Sequence, residues 1–425
     1  MAAAAAWFDF FLFAIASVLV FPHLFFPVHD SWGVAASLVV AVAARPLGGV
    51  LFGHLGDRYG RRASLVGSLL VTGGASGMVA VLPTYLQAGA VSPLLLVVVR
   101  VVQGVGIGGV WSGAVVTVAE HARPSGRGLV ASWSQTGMAA GGALAFGLMG
   151  GLFLVLPAVA FYSWGWRVPY VLSLVVAAYG WWMRSWLAPS TPAVGPPGHA
   201  EAPACWPVRE LLARHGARLT VGVGIAFGVE SAFAVFSFGY IAAHLVGLGF
   251  ALRQSLVLVG CGAVLLTVAI PLAGAASDRY GRRRVYLAGA LVVAGGSAAF
   301  SLLEAANWRW PAAGACVMAM PGFAAMYGTL PALLAELFPP RVRVTGAGLS
   351  YQLAGIVTGP VAAYLVVALP SRLGTPHALA AYTAAALAVA SLALAFARTA
   401  DHTKGMKSRP RCPAPNPSAR RTAAP

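Results

Sequence analysis

Four ionisable side chains lie in stretches that are otherwise apolar: Asp9, Arg45, Arg100 and Glu230. Two chemistries follow from these residue types. An arginine stays charged and grips a carboxylate through parallel N–H donors. A carboxyl group in a low-dielectric setting holds its proton more tightly than in water, which suits it to carry one. Gln103 follows Arg100 by one helical turn, and Gln135, Tyr327, Tyr351 and Gln352 add neutral hydrogen-bonding groups.

A second charged feature occurs twice, about half a chain apart. The first copy reads Gly53-His54-Leu55-Gly56-Asp57-Arg58-Tyr59-Gly60-Arg61-Arg62, the second Gly274-Ala275-Ala276-Ser277-Asp278-Arg279-Tyr280-Gly281-Arg282-Arg283. Glycine permits a tight turn and close approach of helices, and the charges can meet helix ends or one another. A solvated basic loop explains one such cluster. It does not explain the same spacing twice. Glu120 and Glu336 close long apolar runs in each half, where they can brace Arg61 and Arg62, or Arg282 and Arg283. Arg341 follows Glu336 closely.

The elements that carry these groups must be membrane helices. Of 425 residues, 59% are hydrophobic and 9% charged, whereas a soluble protein has about a quarter charged. Such a chain uses lipid as solvent, and each span needs about twenty apolar residues. The runs predict twelve helices: 5–27, 31–55, 63–83, 91–119, 127–157, 166–187, 219–247, 252–277, 284–304, 309–335, 345–369 and 376–397. With the N-terminus inside, only Arg167, Arg253, Arg309 and Arg372 fall outside, and both termini are cytoplasmic. The net charge of +17 is thereby a topology signal and argues against a nucleic-acid partner.

Within this frame Arg45 lies about ten residues above the inner end of its helix, about 15 Å deep. Arg100 and Glu230 also sit well inside their spans, and Asp9 sits nearer an inner end. Each such charge costs at least about 2.5 kcal/mol to insert, so it normally faces a cavity. Asp9 and Arg45 are expected either to form a structural pair or to serve the pathway. Arg100 is expected either to be held by Gln103 and backbone carbonyls or to bind substrate. Glu230 has no cation at similar depth in the eighth, tenth or eleventh helix.

Domain organisation follows: residues 1–187 and 219–397 form six-helix bundles, 188–218 a linker and 398–425 a disordered basic cytoplasmic tail. Val208–Arg218 reads as a short amphipathic cytoplasmic helix. Cys205, Cys261, Cys316 and Cys412 have neither metal nor disulfide spacing. Gly104-Val105-Gly106-Ile107-Gly108-Gly109 matches a dinucleotide fingerprint, but inside an apolar helix small residues serve close packing. No nucleophile constellation or metal pair appears, so no enzyme and no cofactor is expected.

The repeated loop resembles the signature of the major facilitator superfamily. Trp7-Phe8-Asp9-Phe10-Phe11-Leu12, Arg45-Pro46-Leu47-Gly48-Gly49, Gly165-Trp166-Arg167-Val168-Pro169-Tyr170, Glu336-Leu337-Phe338-Pro339 and Tyr351-Gln352-Leu353-Ala354-Gly355 resemble its metabolite:proton symporter family. Two positions depart from that family: Ala6 and Val110 stand where it usually carries glutamate. The resemblance implies an all-α membrane protein of two six-helix bundles working by alternating access. It implies proton-coupled symport of a small carboxylate-bearing metabolite, shikimate-like or another organic acid, by a monomer in the bacterial inner membrane. The alternatives are a betaine or proline zwitterion symporter, an exporter, or a transport-deficient sensor. The expected pathway residues are Asp9, Arg45, Arg100, Gln103 and Glu230. The expected cytoplasmic gate is Gly53, Asp57, Arg58, Gly60, Arg61, Arg62 and Glu120, with Asp278, Arg279, Gly281, Arg282, Arg283, Glu336 and Arg341. The proton gradient supplies the driving force.

Overall fold

The computed structural model describes residues 2–26, 31–123, 126–186, 206–236, 245–246, 248–373 and 377–397. Most of the expected linker and the whole tail lie outside these. Twelve long helices occur among the described residues. The first six are α1 (Ala2–Leu19), α2 (Ser31–Arg58), α3 (Arg61–Val79), α4 (Val91–His121), α5 (Arg127–Val155) and α6 (Arg167–Trp186). The second six are α7 (Pro207–Phe236), α8 (Leu252–Tyr280), α9 (Arg282–Ala305), α10 (Arg309–Leu337), α11 (Arg343–Leu373) and α12 (His377–Phe396).

Packing follows the internal repeat. In the first half α2 and α3 pack on α4, α1 on α5 and α3 on α6. Every one of these pairs recurs six helices later: α8 and α9 on α10, α7 on α11, α9 on α12. Two further seams, α2 with α11 and α5 with α8, join the bundles. They too are the same contact seen from each half.

Repeated glycines make the tightest turns. Tyr59 and Gly60 (φ 103°) separate α2 from α3, and Gly281 (φ 90°) alone separates α8 from α9. Both angles lie where a side chain is strained. The false dinucleotide fingerprint is a helix crossing. A Cβ at Gly104 or Gly108 would overlap the carbonyls of Ala41 or Arg45 on α2, and one at Gly106 would overlap Thr72 on α3.

Among the described residues, seven helices meet the length and hydropathy of membrane spans, and parts of α1 and α12 form shorter apolar helices. Helix α3 falls below that mark because Ser64, Ser68, Thr72 and Ser76 recur every fourth residue and are all buried. Ser68 and Thr72 donate to carbonyls of their own helix, which satisfies these two hydroxyls without water. Val18, Leu94, Leu154, Val264 and Leu291 are broadly exposed, as a lipid-facing surface requires. The expected short helix at Val208–Arg218 is continuous with α7 in the chain but set off from the span that follows by a kink at His215 (φ −124°, ψ 19°).

Candidate functional site

Each repeated loop ties its own half to the other. Asp57 ends α2, and its buried carboxylate accepts hydrogen bonds at the first turn of α11: Val344 N–H at 3.0 Å, Thr345 N–H at 2.9 Å and the Thr345 hydroxyl at 2.7 Å. These are backbone donors that a helix leaves unmet at its start. Arg61 donates to Asp57 at 2.8 Å and to the Gly56 carbonyl at 2.7 Å. It also forks onto Glu120 at 2.8 and 3.0 Å and reaches the Pro340 carbonyl at 3.2 Å. Glu120 in turn holds Arg343 at 2.8 Å. Gly53 and Gly56 admit this approach: a Cβ at either would press on Thr345 or Val344.

The second loop repeats the plan. Asp278 accepts from the N–H groups of Gly128 at 2.8 Å and Leu129 at 2.9 Å, at the start of α5. Arg282 pairs with Asp278 at 2.7 Å and Glu336 at 3.0 Å. Sequence reasoning expected these charges to brace each bundle. The arginine–glutamate pairs do so, while the aspartates cap helices of the opposite bundle. Arg341 pairs at 3.4 Å with Glu210 near the start of α7, and the Arg58 guanidinium lies over the Tyr59 ring, 5.4 Å from its centroid. At this motif end the two bundles are closed on each other.

Above the closure, in the middle of the helices, a small cavity lies between the bundles. Trp7, Phe10, Arg45, Ile107, Val110 and Trp111 line it from the first half, Tyr351 and Gln352 from the second, with Ala3 and Ala6 beside them. Ala6 and Val110, the two departures from the family pattern, pack in one small apolar cluster with Leu65 and Leu69. Two donors here are buried without a protein acceptor: the Nε of Arg45 and the indole N–H of Trp111. Such groups are costly to leave unpaired.

The four intramembrane charges sort into two places. Arg45 does not pair with Asp9. Its guanidinium lies over the Phe10 ring, 4.9 Å from the centroid. Adjacent residues on a helix point about 100° apart, so Phe10 faces α2 while Asp9 turns away and accepts from the Ser173 hydroxyl of α6 at 2.6 Å. The charge opposite Arg45 is Glu230 of α7, which also faces Tyr351. Seen from the second half alone, Glu230 lacks a cation; the first half supplies it. Arg100 is sealed inside the first bundle, against the Phe13 ring at 3.1 Å. It donates to Gln103, which donates to Ser76, and Asp9 is its nearest opposite charge. Asp9, Arg100 and Gln103 therefore form one cluster, and Arg45 and Glu230 another. Sequence reasoning missed Trp111 altogether. Its only local signal was an indole amid small residues.

This architecture, with a central cavity at the seam of two repeated bundles, is that of a secondary transporter. The pattern of the Major Facilitator Superfamily matches residues 2–360 and 248–420, and the chain belongs to that superfamily. It is 34% identical over 405 residues to the inner membrane metabolite transport protein YhjE of Escherichia coli (strain K12), covering 93% of this chain and 92% of that one. It is 32% identical over 397 residues to the shikimate transporter of the same organism, covering 91% and 90%. These relatives are the metabolite-transporting branch that the sequence resembles. The fold matches that of the proton:xylose symporter XylE bound to 6-bromo-6-deoxy-D-glucose, with a TM-score of 0.71, 18% identity and 94% of each chain covered. The chain is an integral membrane transporter of this superfamily and not an enzyme.

Proposed function

We propose that the protein is a proton-coupled symporter of a small carboxylate-bearing metabolite, working as a monomer in the inner membrane with the motif end and both termini cytoplasmic. The observation that carries this reading is the pairing of unused donors on the cavity wall with a carboxyl that faces one of them across the seam. Arg45 Nε and the Trp111 N–H call for an acceptor-rich ligand, and Glu230 stands opposite Arg45. A carboxylate answers Arg45 by displacing Glu230 as its counter-charge, and Glu230 then takes a proton. Binding of anion and proton is thereby linked at one guanidinium. The apolar wall of Ala3, Ala6, Ile107 and Val110 suits the body of a small organic acid. The shikimate transporter among the relatives carries an acid of this kind.

The test is uptake of radiolabelled shikimate and 2-oxoglutarate into proteoliposomes under an imposed pH gradient. Glu230→Gln is expected to abolish accumulation while leaving counterflow largely intact. Full accumulation by that variant removes Glu230 from the mechanism. Arg45→Lys is expected to raise the half-saturation concentration about tenfold, because an ammonium does not reproduce the planar fork.

A second reading has its own support. Trp7, Phe10, Trp111 and Tyr351 give the cavity four aromatic walls, and such walls attract quaternary ammonium groups. Accumulation of glycine betaine rather than the acids would favour a zwitterion symporter. Binding without counterflow of either would favour a sensor.

A further inference from the structure

Two contacts at the seam of the bundles meet in one residue. The Tyr351 ring of α11 lies flat on the Trp111 ring of α4, with centroids 4.0 Å apart and planes 4° from parallel. The Tyr351 hydroxyl faces the Glu230 carboxyl of α7. Trp111 belongs to the first bundle, Tyr351 and Glu230 to the second. Arg45 of α2 attracts Glu230 across the same seam. One residue further along α11, Gln352 donates to the Gly108 carbonyl of α4 at 3.3 Å. Trp111 lies ten residues before the motif end of α4 and Tyr351 eight residues after the start of α11. The bundles therefore cannot part at the motif end without separating these two rings.

We propose that the Trp111–Tyr351 stack is the latch beneath the cavity and that Tyr351 is the positioning residue through which protonation of Glu230 releases it. This rests on the reading of Glu230 as the proton carrier. In this proposal an ionised Glu230 draws a charge-assisted hydrogen bond from the neighbouring Tyr351 hydroxyl, which orients the ring on Trp111, and it attracts Arg45. A proton on the carboxyl removes the attraction to Arg45 and leaves a neutral hydrogen bond of about half the strength. Both ties across the seam weaken in one step. The charged and titratable groups around Glu230 are Arg45 on α2, Tyr327 on α10, Tyr351 on α11 and Tyr382 on α12. An arginine and three phenols keep their protons through neutral pH, which leaves Glu230 to set the response.

The test needs no substrate. Spin labels are placed on cysteines replacing Tyr59 and Tyr280, which are exposed near the motif ends of α2 and α8 in opposite bundles. The native cysteines are replaced by serine, and the distance between labels is measured in nanodiscs from pH 5 to pH 9. The parent is expected to gain a long-distance population as pH falls. Glu230→Gln is expected to show that population equally at every pH, and Trp111→Leu likewise. Tyr351→Phe keeps a ring on Trp111 but loses the hydroxyl, and its pH-dependent change is expected to shrink at least threefold. A Tyr351→Phe response equal to the parent overturns the relay even where Glu230→Gln is flat. A pH response that survives Glu230→Gln overturns the proton-carrier reading instead. A parent insensitive to pH overturns both.

Discussion

The two repeated loops share a motif but hold their halves with unequal grip. In the first, Asp57 makes three bonds to the start of α11, Arg61 reaches Pro340, and Glu120 bridges Arg61 to Arg343. All of these except the Arg61–Glu120 pair cross the seam. In the second, the bonds that cross it among the described residues are the two backbone bonds from Asp278 to α5, and Glu336 binds Arg282 of its own half. Burial differs in the same direction. Asp57 and Arg61 are 2% and 4% exposed, whereas the Glu336 side chain is 41% exposed. Exposed ion pairs contribute about 0–1 kcal/mol and are screened by salt, while bonds to a buried charge are worth about 1.5–3 kcal/mol. Sequence identity of a motif therefore does not imply equal energetic weight. The α2–α11 seam is the stronger closure, and the α5–α8 seam is the one poised to yield.

The comparison is broken most directly at its aspartates. Asp57→Asn is expected to shift the resting population towards a motif-end-open state by about 2 kcal/mol, roughly thirtyfold, and to slow turnover without changing substrate preference. The readout is labelling of a cysteine introduced at Ile107, on the cavity wall, by a membrane-impermeant maleimide applied to inverted vesicles. Labelling and turnover identical to the parent would reduce the first loop to a folding and topology element. Asp278→Asn, read the same way, is expected to shift the population about threefold to tenfold. An effect as large as that of Asp57→Asn would refute the asymmetry.

The glutamates sharpen it. Glu120→Gln loses links to both Arg61 and Arg343, with an expected shift of about 1 kcal/mol. Glu336→Gln is expected to change labelling by less than twofold, because its single partner is reached from a half-exposed position. The smallest effect concerns salt. Raising ionic strength from 0.1 to 1 M shortens the screening length from about 10 to 3 Å. Inner-cavity labelling of Asp57→Asn, which depends on the exposed second loop, is expected to rise more with salt than labelling of Asp278→Asn. Equal salt slopes would show that exposure does not separate the two loops.

The central groups show a related contrast. Asp9, Arg100 and Gln103 lie sealed within one bundle, where hydrogen bonds fix them to Ser173 and Ser76. Arg45 and Glu230 are only partly buried and belong to different bundles. A cluster inside one bundle keeps its partners as the bundles rock, whereas one across the seam does not. This difference is why the proposed coupling is assigned to Arg45 and Glu230.

Much of this protein was legible in its sequence because the signals are local or repeated. Composition requires a lipid solvent, apolar runs mark the helices, and Gly60 and Gly281 mark the tight turns after α2 and α8. The pairing of Arg61 with Glu120 and of Arg282 with Glu336 could be anticipated, since each joins neighbouring helices of one half. Tertiary structure alone decided which bundle each aspartate caps, that Arg45 packs on Phe10 and faces Glu230 rather than Asp9, and that Trp111 stacks on Tyr351. Helical periodicity sets the angle of a side chain about its own axis. It carries no information on which distant helix that face will meet, and the seam between bundles consists wholly of such meetings.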